Sequence, residues 1–153
     1  MKAKASEAGD RNMLQIERLL AFLVESLEYF ESRMDGVDLD RYFADRDIRS
    51  ILDKTINDII LCIVDLSEEI LKAKQRVIPD TYRDTILSCH EFIGEIALSL
   101  APLVRHRNEM VHQYTRVNWQ NIIAVKHKVG AIRSFADAVK TVVACKHVDK
   151  CFS

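Results

Sequence analysis

From Ile48 to Ile70 the apolar residues Ile48, Leu52, Ile56, Ile59, Ile63, Leu66 and Ile70 recur at every third or fourth position. That is the period of one buried helix face, sustained for about six turns. The chain that carries this stripe has only four Gly and two Pro in 153 residues. A sandwich or barrel needs many tight turns, and so little punctuation cannot build them. The fold class expected is therefore all-α.

The remaining stripes agree. Ile16, Leu19, Leu20, Leu23, Val24, Leu27 and Phe30 mark a first helix over about Arg11 to Met34, stopped by the Gly36 and Asp-rich stretch MDGVDLD. The second helix runs from about Asp40 or Asp45 to Gln75, and Pro79 closes the connection after it. Asp80 and Thr81 sit where an N-cap belongs. A third helix then shows Tyr82, Ile86, Cys89, Ile93, Ile96 and Leu100 at near-heptad spacing. Pro102 suits the first turn of a short fourth helix to about Gln113, since its missing N–H would be unpaired there. The polar run TRVNW precedes a fifth helix, about Trp119 to Lys146, with Val125, Val129, Ile132, Ala136, Val139 and Val143 in line. Short connections favour antiparallel neighbours, so the architecture expected is an up-and-down four-helix bundle with an additional short helix. The domain expected spans 11–147, between a flexible N-terminus at 1–10 and a C-terminal tail at 148–153. Two long apolar faces also suit a two-fold pairing of copies.

The four cysteines form no CxxC pair, which points to a reducing compartment. Cys145, His147 and Cys151 crowd the ending CKHVDKC, but no fourth zinc ligand follows at familiar spacing. Charged residues at Glu17, Arg18 and Glu25 interrupt the first apolar run, which fits neither a signal peptide nor a membrane span. A cytoplasmic protein is expected.

The net charge of −1 hides an uneven distribution. Residues 1–102 hold thirteen basic and twenty acidic side chains, a net of −7. Between Leu103 and Ala136, Arg105, Arg107, Arg116, Lys126, Lys128 and Arg133 face the single acid Glu109, a net of +5. An anionic substrate suits that segment, and so does an acidic partner.

Within it lies RNEMVHQY, which sets Arg107, Asn108, His112 and Tyr114 in eight residues of an apolar helical pattern. Such groups are costly near a core unless they face a cleft or a partner. On a helix Asn108 and His112 touch, Arg107 and Tyr114 share a face, and Arg107 and His112 are offset by well over a right angle, a gap that the long arginine side chain can close. An imidazole exchanges protons near neutral pH, and a guanidinium offers fixed charge and a fork of donors to phosphate oxygens. The pair suits phosphodiester cleavage. Taken in isolation, an Arg and a His at this spacing are more often a histidine on a helix C-terminal dipole beside a surface ion pair.

The string resembles the Arg-x4-His-x-Tyr signature of HepT toxins, in the HEPN superfamily of helical ribonuclease domains, in which Asn follows the Arg. The segment from about Arg49 to Tyr114, with IVD around Asp65 and PDTYRD at Pro79 to Asp84, is similar in order and spacing. The resemblance implies a metal-independent endoribonuclease without a cofactor, the toxin of a type VII-like toxin–antitoxin pair, working as a homodimer with two motif copies in one cleft. Arg107, His112 and Asn108 are its implied catalytic residues. Tyr114 is the implied acceptor of AMP from a minimal nucleotidyltransferase antitoxin similar to MntA. Arg105-x6-His112 is a second pairing, although Asn108 favours Arg107. Asp65 is either a supporting polar residue or an ordinary solvent-facing one. Arg105, Arg116, Lys126, Lys128 and Arg133 are candidate RNA-backbone contacts by charge, or a solvated face. The alternative function is a catalytically silent helical module that binds a nucleotidyltransferase partner or a nucleotide.

Overall fold

In the computed structural model, backbone is described for residues 2–112 and 117–145, and side chains for the same span apart from 2–8, 10, 111, 112, 117 and 145. Among the described residues every regular element is a helix. Four rods make the bundle. The first is α1 (Lys2–Met34) and the second is α3 (Arg46–Ala73), reached through a short α2 (Leu39–Ala44). The third is a broken rod of α4 (Tyr82–Ser88), α5 (His90–Ile93) and α6 (Glu95–Leu100). The fourth joins α8 (Val117–His127) to α9 (Val129–Cys145). Helix α7 (Leu103–His112) is the added short element and carries the motif. Helix α1 packs on α3 and α9, α3 on α4, and α5 and α6 on α9, so the rods close a ring around one core.

The stripes read from the sequence fill that core. Leu23, Leu27 and Phe30 of α1 meet Leu52, Ile56, Ile59, Ile63, Leu66 and Ile70 of α3, all fully buried. Each such side chain contributes about 1.5–3 kcal/mol by leaving water. Ile86, Cys89, Ala97 and Leu100 close the third side, and Val125, Ile132, Phe135 and Val139 the fourth. Cys62 and Cys89 are buried free thiols, and burial pushes them up to about 12 and about 11 respectively. They pack as small hydrophobes. Among the described residues, no helix is long and apolar enough to cross a membrane.

The caps explain the element boundaries. The Asp38 side chain accepts the Arg41 N–H at 2.8 Å and starts α2. That of Asp45 accepts from Asp47 and Ile48 at 3.0 and 3.1 Å and starts α3. The sequence offered about Asp40 or Asp45 as alternative starts of one helix; the chain starts a short helix after Asp38 and the long one after Asp45. Thr81 Oγ1 caps α4 through the Asp84 N–H at 3.1 Å, as expected.

Three boundaries differ from expectation. The first ten residues, read as a flexible lead-in, are helical in backbone from Lys2 onward; their Ala, Lys and Glu content favours helix. The third rod is three helices and not one. Cys89 tightens the turn, its N–H reaching back to Ile86 O at 3.0 Å, and Gly94 takes φ 72°, ψ −146°, a conformation almost confined to glycine. The fourth rod breaks at Lys128, whose N–H bonds Val125 O at 2.9 Å. The breaks leave the apolar faces turned inward, which is why periodicity runs through them unmarked.

Candidate active site

Leu103 and Val104 are buried and set the inward face of α7. Arg107 stands four residues after Leu103, on the same side, so the face that begins apolar continues as a half-buried guanidinium. Its Nε donates to Asn57 Oδ1 on α3 at 3.1 Å. Its Nη1 donates to Asn108 Oδ1 at 3.3 Å. The guanidinium carbon stands 5.9 Å from the centre of the Tyr82 ring at the start of α4, within cation–π range. Arg107 is thus held by side chains from α3, α4 and α7, and its remaining N–H groups can take phosphate oxygens.

A second layer of polar contacts fixes α7 and α8. His106 Nδ1 lies 2.6 Å from Asn121 Oδ1 and ties the two helices together. Asn118 Nδ2 donates to Asp53 Oδ2 at 3.3 Å, and Tyr42 OH donates to Asp53 Oδ1 at 2.7 Å. Tyr42 is buried, with its ring 5.3 Å from that of Trp119. Burial pushes the Asp53 carboxyl above the usual carboxylate range, despite opposing hydrogen bonds from Tyr42 and Asn118 and the nearby Arg49. Burial and the Asp53 carboxylate likewise raise the Tyr42 phenol, keeping it a donor. Asn118 Oδ1 and Asn121 Nδ2 are buried without a hydrogen-bond partner among the described residues. Asp53 and Asn57 are four apart on α3, so one face of that helix holds α8 through Asp53 and α7 through Asn57.

The structure sets Arg107 beside Asn108 and places His112 in the last turn of α7; the expected contact of Asn108 with the His112 ring lies outside the described residues, as the His112 side chain does. Tyr114 and Arg116 lie outside the described residues, as do His147 and Cys151 and the Cys145 side chain. Arg105 is exposed and paired with Glu109 at 2.9 Å. Lys126 lines a separate groove with Glu28, Glu31, Asp35 and Asp38. Lys128 donates to Ser99 Oγ at 3.0 Å, and Arg133 pairs with Glu31 at 2.5 Å. Neither lysine shares a described hydrogen bond or groove with Arg107 or Asn108.

Asp65 is exposed on α3, its carboxyl raised by partial desolvation against the helix surface and by the neighbouring Glu68 and Glu69. It stands eight residues, about 12 Å of helix, beyond the residue that does hold the arginine. That residue, Asn57, was missed in the sequence. Its only signal is an amide at the edge of the apolar stripe, one turn after Asp53.

The family model described as Ribonuclease HepT-like matches residues 23–140, from within α1 to within α9 and including the whole motif. No curated protein matches the chain. With the motif arginine set at the meeting of α3, α4 and α7 in a helical bundle, and the match covering most of the sequence, the chain belongs to the HepT-like ribonuclease family.

Proposed function

We propose that this protein is a metal-independent endoribonuclease, the toxin of a toxin–antitoxin pair, which cleaves RNA through its 2′-OH. The observation that carries the reading is Arg107, held by Asn57, Asn108 and Tyr82 five residues before His112 on one helix of a HepT-like chain. In the reaction His112 takes the proton of the ribose 2′-OH, and the 2′-oxygen attacks phosphorus. Arg107 stabilises the charge gathered on the pentacoordinate phosphorus. The P–O5′ bond breaks, and a proton is returned to the leaving 5′-oxygen. In a homodimer with two motifs in one cleft, the partner's His112 supplies that proton. Products are a cyclic 2′,3′-phosphate and a 5′-hydroxyl.

Neutralisation follows from the same charges. Transfer of AMP to Tyr114 by an MntA-like nucleotidyltransferase sets phosphate negative charge against Arg107 and weakens RNA binding. Arg105 and Arg116, close to the motif in sequence, extend backbone binding beyond it, whereas Lys126, in a groove rimmed by acidic side chains, and Lys128, donating to Ser99, take no part. The protein acts in the cytoplasm, where its RNA is.

The test is incubation of the pure protein with defined RNAs in chelator, comparing wild type with Arg107→Ala and His112→Ala. Cleavage of RNA but not DNA, lost in both variants, is the expected result. Cleavage that persists in His112→Ala overturns the mechanism. Co-expression with the nucleotidyltransferase should add AMP to the intact mass, lost in Tyr114→Phe.

A further inference from the structure

Beside Arg107, on the adjacent face of α7, lies a groove of about 590 Å³ that the reaction above does not use. Its long wall is Ala101, Val104, Arg105 and Asn108, three or four residues apart and so one stripe of the chain entering and forming α7. Arg83, in the first turn of α4, stands opposite. Ala101, Pro102 and Val104 give it an apolar floor. Asn108 belongs to groove and site alike, because its Oδ1 receives the Arg107 guanidinium. Tyr82 and Arg83 divide the same way, with Tyr82 next to Arg107 and Arg83 on the groove.

We propose that this groove seats the nucleotide flanking the scissile phosphate, its base against the Ala101, Pro102 and Val104 floor and its phosphate on Arg83. The inference rests on the ribonuclease reading of the motif. Three observations select this occupant. The volume lies in the range of small-ligand sites. The charge is complementary to a phosphodiester: two arginines face one carboxylate, that of Glu109, which is engaged with Arg105 Nε at 2.9 Å. Arg83 is exposed and, among the described residues, has neither hydrogen bond nor ion pair, so its whole donor fork is open to a phosphate. An apolar strip next to an unpaired guanidinium offers a nucleotide an apolar contact for its base and a donor fork for its anionic linkage. It carries no pattern of donors and acceptors for one particular base, so the seat sets position along the strand more than sequence.

The experiment separates this seat from the chemistry. A single-stranded 2′-O-methyl oligonucleotide, which has no free 2′-OH to attack, is titrated with wild type, Arg83→Ala and Arg83→Lys at several salt concentrations. Cleavage of the matching RNA is followed in parallel. Arg83→Ala should bind about tenfold more weakly. Its logarithmic salt slope should be shallower by about 0.7, as expected when one fewer phosphate of a single strand is neutralised. KM should rise about tenfold with kcat unchanged, the melting temperature should not move, and Arg83→Lys should restore the salt slope. Wild type should bind a fully abasic strand about tenfold more weakly than the intact one, the effect of losing the apolar contact of a base. Unchanged affinity and slope in Arg83→Ala overturn the phosphate seat, equal affinity for the abasic strand overturns the base seat, and no binding by wild type overturns both. Binding with these signatures but no RNA cleavage leaves the seat standing and removes the ribonuclease reading instead.

Discussion

Arg107 uses its Nε and one Nη on two different side chains, a geometry that only a guanidinium supplies. Arg107→Ala should lower kcat by about 10²–10³, the usual effect of removing one preorganised charge-stabilising donor. Arg107→Lys should recover little of it, because an ammonium cannot hold Asn57 and Asn108 while facing phosphate. Asn57→Ala should lower kcat by about tenfold with KM nearly unchanged, since it frees the guanidinium without removing it; single-turnover rates measure both. The motif was legible because its members lie within eight residues of one another. Asn57 was not, because it meets Arg107 from fifty residues away and nothing in the α3 sequence says which polar residue turns toward α7. The same holds for Asp53, whose raised carboxyl makes a prediction of its own. A group whose folded pKa lies above its unfolded value favours the folded state while protonated. Its contribution is present below about pH 4 and is lost as pH rises through the folded value. Asp53→Asn should therefore lack this loss, keeping the Tyr42 bond and turning the Asn118 amide so that its unpartnered Oδ1 accepts from the new amide. Urea midpoints measured from pH 3 to 7 should show wild type falling relative to the variant as pH rises.

At the scale of elements, the apolar stripes made the rods readable and the glycines decide where two of them bend or end. Gly94 carries φ 72°, ψ −146°, yet a Cβ added there would meet nothing within 4 Å. The cost of Gly94→Ala is therefore conformational alone, about 1–3 kcal/mol of destabilisation. Gly130 sits inside the first turn of α9, with equally open space around it and no positive φ. Gly130→Ala should stabilise by about 0.5–1 kcal/mol. The pair has opposite signs for the same added methyl, and chemical denaturation of both variants checks it. No sequence pattern distinguished these glycines. Gly94 lies between Ile93 and Ile96 in a run whose period is unbroken, so a single helix was the natural reading of 82–100. The Cys89 turn was hidden similarly, because the thiol occupies a core position whether or not the helix continues through it. What could be read was whatever a short side-chain preference decides alone, as at the Asp45 and Thr81 caps.

Across the whole molecule, folding redistributes the charge that the linear sequence segregates. Arg133 goes to Glu31 of α1, and Lys126 to a groove rimmed by acidic side chains, so much of the positive third of the chain is answered by its negative part. Around the motif the balance differs: Arg107 is held by neutral amides, and Arg83 is unpaired among the described residues. On the proposed mechanism one chain brings a cationic corner but one motif imidazole, whereas transesterification needs a base and an acid on opposite sides of phosphorus. The proposed two-fold pairing supplies the second imidazole and doubles the local positive charge. It also makes a prediction that no single-chain enzyme shares. Wild type and His112→Ala, co-expressed in equal amounts and paired at random, give wild-type homodimers as about a quarter of all dimers. If each cut draws on His112 of both protomers, the mixture should cleave at about one quarter of the rate of the same total amount of wild type. If each chain cuts alone, the rate should be about one half. Initial rates in chelator on the mixture decide between the two; tandem-tag-purified heterodimers should be inactive, and a heterodimer with half the wild-type rate would sink the shared site.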